Sequence, residues 1–171
     1  MRKVIPLGTF SVVSGTLVVS DPCYTPDVWC RGELKNVRMG EWNASLVETD
    51  QGDWGIRVGV LSIRHQDIHS RKGLTRHEAP FEVGVDSGQA GFFDERFYRD
   101  DTVITQSPSQ SWSEGESKWY DYCCSLTLSP TQGGVLPYGA VTSSGYGDGV
   151  YTCYYYTNKA GEIVMAEIQY L

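Results

Sequence analysis

Apolar and polar residues alternate along much of the chain with the period of two that is typical of β-strands. The clearest case is the segment of residues 42–64, which predicts a hairpin around the sequence ETDQGD. The apolar positions of this segment are Trp42, Ala44, Leu46, Trp54, Ile56, Val58 and Val60. Trp42 and Trp54 are expected to lie near each other across the ladder.

Two more hairpins are predicted around Ser-Gly pairs. Residues 9–20 turn at Ser14-Gly15, and residues 81–93 turn at Ser87-Gly88. Glycine supplies the positive φ that a two-residue hairpin turn requires. The sequence DERFYRDD, which follows, predicts one helical turn capped by Asp94.

The C-terminal third predicts further strands. Residues 119–128 and 138–142 are interpreted as strands, and VYTCYYYT and EIVMAEIQYL form a hairpin around NKAG. No long amphipathic pattern is seen, so the chain is expected to be one all-β domain over residues 1–171 with little helix. Its expected architecture is an antiparallel β-sandwich or a partly open barrel built from hairpins. The polar residues 107–117 are interpreted as an exposed loop and a candidate lid.

Charge narrows the choice of partners. The formal net charge is −7 and the sequence pI is about 4.9, which argues against binding of long nucleic acid. Residues 57–77 nevertheless hold five Lys or Arg, all three histidines and the single acid Asp67. A basic segment on an acidic protein favours a small anion as ligand, and the alternative is a solvated loop.

Nothing in the sequence indicates a membrane protein. The start MRKVIPLGTF is broken by Pro6 and Gly8, so no signal peptide is predicted, and no apolar run has membrane-spanning length. The five cysteines show no zinc spacing and are expected to be free thiols, which favours a cytoplasmic location. Exposed strand edges would allow a homodimer.

A short repeat directs attention to the aspartates. SGTLVVSD and SGQAGFFD both place an aspartate six residues after glycine, at Asp21 and Asp94. We expect the two units to pack together and to bring these carboxylates to one end of the sheet, with Asp86 and Asp148 on the same rim. Such a cluster would hold Mg²⁺ or Ca²⁺ or share a proton. The alternative is that each aspartate closes a turn.

The sequence SGYGDG is a second candidate site. Gly145 and Gly147 alternate with larger residues, a pattern whose amides can surround an anion. Tyr146 would stack on a planar ring, and Asp148 is a further catalytic candidate. A plain tight turn is the alternative.

The basic segment supplies the remaining candidates. His65 and His69 would share a face if this segment were helical, and they could then act as acid and base on a phosphodiester. Arg64, Arg71 and Arg76 would hold the phosphates.

Three motifs resemble one known family. SDPCY at residues 20–24, DSGQAGFFD at 86–94 and SSGYGDG at 143–149 occur in this order, and the chain resembles domain-of-unknown-function family 4241 of bacterial and phage proteins. The resemblance covers most of the chain. It implies that Asp21, Asp86, Asp94 and the glycine loop belong to the family's signature, but it assigns no activity.

The function expected first is capture of a small anionic, nucleotide-like molecule, with no cofactor. In a phage this would counter host defence by sequestering a signal. The alternative is a phosphodiesterase that uses a divalent cation or the histidines. A second alternative is an acidic module that binds a protein partner.

Overall fold

The computed structural model describes residues 2–105 and 117–171, and most of these form β-strands. In chain order the strands are β1 (Arg2–Val12), β2 (Thr16–Ser20), β3 (Gly32–Lys35), β4 (Gly40–Asp50), β5 (Ile56–His65), β6 (Thr75–Val85), β7 (Gln89–Asp94), β8 (Gly133–Leu136), β9 (Gly139–Ser143), β10 (Gly149–Thr157) and β11 (Ile163–Gln169). Short 3₁₀ helices span Gly52–Trp54, Glu95–Phe97 and Asp101–Val103, and α1 spans Lys118–Thr127. Most of the predicted lid, residues 107–116, lies outside the described residues.

The strands form two antiparallel sheets, which confirms the all-β sandwich. The six-stranded sheet has the order β1-β4-β5-β11-β10-β6, and the five-stranded sheet has the order β3-β2-β7-β9-β8. One apolar core contains residues from both sheets, such as Phe10 and Trp42 from the first and Leu17 and Phe92 from the second. The five-stranded sheet is covered on its other face by α1, where Trp119 packs with Phe93.

The two Ser-Gly turns were wrongly predicted as hairpin turns. Each of them connects a strand of one sheet to a strand of the other, since β1 and β6 lie in the six-stranded sheet and β2 and β7 in the five-stranded one. The strands that follow the turns, β2 and β7, pair with each other inside the five-stranded sheet. One face of this pair packs in the core between the sheets, and the other face packs against α1. The two repeat units therefore do pack together, as the repeat predicts.

The predicted strand at residues 119–128 is also wrong, because this segment is the helix α1. Four side chains of the helix are buried, and three of them, Trp119, Cys123 and Thr127, have the spacing of four that one helical face requires. The fourth is Asp121. Ser117 begins the helix by accepting a hydrogen bond from the backbone N–H of Tyr120.

The other predicted elements are confirmed with one change. β4 and β5 form a hairpin, β10 and β11 form another, and β9 occupies the predicted strand at residues 138–142. Asp94 caps the predicted helical turn through Arg96 N–H. Trp42, however, lies opposite His65, whereas Trp54 is exposed in the turn of the hairpin.

The basic segment includes a crossover. Because β11 and β10 lie between β5 and β6, residues 66–74 must pass two strands to connect them. The segment is therefore the second strand of a hairpin, a connection, and the first residues of β6. Among the helices of the described residues, none combines the length and hydropathy needed to cross a membrane.

Candidate functional site

A groove crosses the outer face of the six-stranded sheet. Its volume is about 550 Å³, within the usual range of small-molecule sites. One wall is formed by β1, with Val4 and Pro6, and the other by the crossover, with Ser70 and Arg71. The floor contains the side chains of Asn43, Ser45, Ser62, Arg64 and Met165.

The polar floor follows from the strand register. Asn43 of β4 lies opposite Arg64 of β5, and Ser45 lies opposite Ser62. Directly opposed residues point to the same face of a sheet, so hydroxyl, amide and guanidinium groups collect on the side away from the core. A second depression of about 410 Å³ shares Val4, Ser45, Ser62 and Arg71 with the groove and continues it towards Arg2, Glu167 and Gln169.

Glu167 anchors the crossover to the sheet. This carboxylate is buried, and Arg71 Nη2 lies 3.0 Å from its Oε2. Its Oε1 accepts hydrogen bonds from Tyr156 Oη at 3.2 Å and from Gln169 Nε2 at 3.1 Å, and Arg76 Nη2 lies 3.8 Å away. The Arg71 guanidinium also stacks over the Tyr156 ring at 5.0 Å. Arg71 is therefore held at the groove wall by charge and by an aromatic face.

Arg64 differs from its two neighbours in having no carboxylate partner. Its side chain is exposed in the groove and forms no ion pair with any residue that the structure describes. Arg76, by contrast, lies 3.7 Å from the Tyr154 ring centroid and close to Glu167. Arg64 thus carries a positive charge that is available to a ligand at the floor of the groove.

The glycine loop lies far from these arginines. Gly149 pairs with Val85 at one end of β10, and Tyr156 pairs with Arg76 seven residues further on, so roughly 23 Å separates the two. The predicted site that combines Gly145, Gly147 and Asp148 with the arginines is therefore divided between two ends of the molecule. One small ligand cannot contact both.

The loop itself is a tight turn with internal partners. Gly147 N–H donates to Ser144 O at 2.7 Å, and Tyr151 Oη donates to Gly147 O. Asp148 accepts a hydrogen bond from Gly88 N–H at 3.0 Å. Because the Gly147 amide bonds within the loop and a carboxylate lies beside it, the loop is a poor anion site.

Tyr146 is exposed, but its side chain contacts three other residues. Its Oη donates to Gln51 Oε1, its ring meets the edge of Trp54 at 6.4 Å, and Arg57 lies 5.5 Å from the ring centroid. One face of the expected stacking platform is thus already occupied by a cation.

The two predicted catalytic histidines do not form a pair on a helix. His65 is the last residue of β5 and is buried, with Nε2 3.0 Å from Met39 O and Nδ1 accepting from Asp67 N–H. These two backbone partners use both ring nitrogens. His69 lies exposed in the crossover. The expectation of a shared helical face is wrong, because residues 66–74 contain no helix.

The predicted cluster of aspartates is also divided. β2 and β7 run antiparallel, with Leu17 opposite Asp94 and Ser20 opposite Gly91, so Asp21 and Asp94 lie at opposite ends of the pair. The expectation that they meet at one end is therefore wrong, and Asp21, Asp86 and Asp94 do not form one metal site. Within the described ranges, no group of three His, Cys, Asp or Glu side chains is arranged to hold a metal ion.

Each of these two aspartates closes the turn of the other unit. Asp94 Oδ2 accepts from Val13 N–H at 2.6 Å and from Ser14 N–H at 3.0 Å. Asp21 Oδ2 accepts from Asp86 N–H at 2.9 Å and from Ser87 N–H at 2.7 Å, and Ser87 Oγ donates to its Oδ1. Two buried carboxylates thus accept hydrogen bonds from backbone N–H groups at two corners of the sandwich.

Cys23, beside Asp21, is not an activated nucleophile. Burial, followed by the charge of Asp21, raises the pKa of this thiol to about 12. A thiol must ionise to attack, so this environment opposes attack at neutral pH. None of the five cysteines, all of them described, forms a disulfide bond.

Sequence reasoning missed Glu167 and the serines of the groove. The available signal was one acid within the apolar run IVMAEIQY, because a charge in a buried strand requires a partner. Ser45 and Ser62 alternate with core residues and look like ordinary solvent-facing positions.

The family model for proteins of unknown function DUF4241 matches residues 10–166. The chain belongs to this family. No curated protein and no solved structure matches this chain. In this DUF4241 protein the three motifs meet at one corner, where Asp21 contacts the 86–88 turn and Asp148 contacts Gly88. Their contacts are those of a structural junction, and the groove lies elsewhere.

Proposed function

We propose that this DUF4241 protein binds a small anionic ligand in the groove of the six-stranded sheet. The observation that carries the proposal is Arg64, an exposed guanidinium without a carboxylate partner among the described residues, in a groove of about 550 Å³. A guanidinium binds phosphate or carboxylate through two parallel hydrogen bonds. Asn43, Ser45 and Ser62 offer further polar contacts.

A nucleotide-like molecule is the ligand class that we propose. The protein is acidic overall, so a single cationic groove suits a compact anion better than a long polyanion. The resemblance to phage proteins motivates a biological setting in which a cytoplasmic host signal is sequestered. The phosphodiesterase alternative ranks second, because both ring nitrogens of His65 are already bonded to the backbone.

The test is a capture-and-release assay. The protein is incubated with inorganic phosphate and with cyclic and linear nucleotides, with and without Mg²⁺, then filtered, heat-denatured and analysed by chromatography. We expect one compound to be retained and to return unchanged. A converted compound would indicate an enzyme, and free passage of every compound would contradict the proposal.

Substitution of Arg64 locates the site. We expect Arg64→Gln to weaken binding about tenfold or more, because a charge-assisted contact is lost. Lys35→Gln removes the same charge from an exposed position on β3, in the other sheet, and should leave the dissociation constant unchanged. If Arg64→Gln and Lys35→Gln bind alike, the groove is not the site.

A further inference from the structure

Trp29 is the most exposed large apolar side chain described, with 81% of its surface accessible. It lies on the connection between β2 and β3, beside β6. A cleft of about 470 Å³ opens on one side of it and another of about 400 Å³ on the other, and Trp29 lines both. Exposed tryptophan is uncommon on free surfaces and frequent at the centre of interfaces.

The two clefts carry acidic side chains. Asp86 and Asp148 line the first, and Glu78 and Glu82 line the second. No Lys, Arg or His lines either cleft in the part of the chain that the structure describes. Glu78 and Glu82 form no ion pair with any described residue, so their charges are not compensated.

The carboxylates follow the direction of β6. Glu78 pairs with Tyr154 and Glu82 with Thr152, and the strand then continues to Val85 opposite Gly149, next to Asp86 and Asp148. At about 3.3 Å per residue, the stretch from Glu78 to Asp86 spans roughly 25 Å. Val150 adds a second exposed apolar side chain near the end of this stretch. The dimensions match an extended segment of about seven residues.

We propose that this surface binds an extended, Lys- or Arg-rich segment of a partner protein. Cationic side chains at alternate positions would meet the carboxylates, and one of them would lie on the face of Trp29. Charge complementarity selects this partner, because an anionic segment or membrane surface would be repelled by all four carboxylates. This surface is separate from the arginine groove and does not depend on the function proposed for it.

The probe is a fluorescein-labelled octapeptide of alternating arginine and glycine, measured by fluorescence anisotropy at 50 and 150 mM salt. We expect saturable binding that weakens at the higher salt concentration. A peptide of alternating glutamate and glycine should not bind. Trp29→Ala and the double variant Glu78→Gln/Glu82→Gln should each weaken binding about fivefold or more.

Matched variants separate this surface from the general acidity of the protein. Trp54→Ala removes another exposed tryptophan, and Asp53→Asn/Glu95→Gln removes two exposed charges outside the clefts. Both should bind the peptide as the unchanged protein does. If the two double variants weaken binding equally, or if Trp29→Ala binds normally, the proposal is wrong. Circular dichroism of each variant confirms that the fold is retained.

Discussion

At the scale of single residues, the aspartates show that one residue type has different structural roles in this protein. Asp21 and Asp94 are buried and accept backbone hydrogen bonds from turns, whereas Asp148 is exposed and accepts one. The sequence repeat identified the first two as equivalent, and they are. Their placement at opposite ends could not be predicted, because it depends on the antiparallel pairing of β2 with β7.

We expect Asp21→Asn to lower the free energy of unfolding by about 2–4 kcal/mol, because an amide cannot accept all the hydrogen bonds that this buried carboxylate accepts. Asp148→Asn, with one exposed contact, should cost less than about 1 kcal/mol. Urea unfolding at pH 7 measures both. Equal losses would contradict the role assigned to Asp21.

At the scale of elements, the period of two was informative wherever one face of a strand is exposed. It identified the β4–β5 and β10–β11 hairpins. It failed for α1, where tyrosines at alternate positions imitate a strand while Trp119, Cys123 and Thr127 form the buried face. β3 and β8 have four residues each, too few for a period to be visible. The groove was missed because it is formed by residues of several strands, and the order of these strands in the sheet cannot be deduced from the sequence.

Ser117 provides a test of α1. Ser117→Ala should destabilise the protein by about 1 kcal/mol or more, because the first turn of the helix loses its acceptor for Tyr120 N–H and Asp101 loses a hydroxyl donor. Ser117→Asn should retain most of the stability, since asparagine is also a good cap. Ser125→Ala, in the same helix, removes a hydroxyl that donates to Tyr122 O and is the control. Thermal unfolding followed by circular dichroism compares the three variants. Equal stability of the alanine variant and the unchanged protein would contradict the assigned cap.

At the scale of the whole molecule, the sandwich combines an acidic exterior with a core that contains phenols and thiols. The fold class was predictable because strand patterns and turn residues recur along the whole chain. The arrangement of sites was not, because the crossover places Arg71 beside Glu167, which is 96 residues away in sequence. Two surfaces of opposite charge result, one around Arg64 and one around Trp29.

The buried phenols and thiols predict loss of stability in alkali. Burial raises the pKa of Tyr98 to about 12, and it also raises the pKa of Tyr120, Tyr170 and Cys153. The folded protein therefore keeps these protons at a pH where the unfolded chain releases them. Stability is fully present below about pH 9 and falls as pH rises towards 12, with a slope approaching ~1.4 kcal/mol per pH unit for each group.

Urea unfolding between pH 8 and pH 11 measures this slope. Tyr98→Phe should lower the stability at pH 8, because Tyr98 Oη bonds to Tyr24 O at 2.7 Å, but should make the decline with pH shallower. A free energy of unfolding that stays constant to pH 11 would contradict the prediction.

Asp21 and Asp94 each close the turn of the other repeat unit, and these contacts also disfavour a shifted pairing of β2 and β7. If β2 slid along β7 by one residue, both carboxylates would leave their turns together, and β2 would present its opposite face to the core. A single slip would then expose several backbone donors and exchange the faces of Val18 and Val19, which pack in two different apolar clusters. The two aspartates therefore stabilise the native register of β2 and β7 relative to registers that are shifted by one residue.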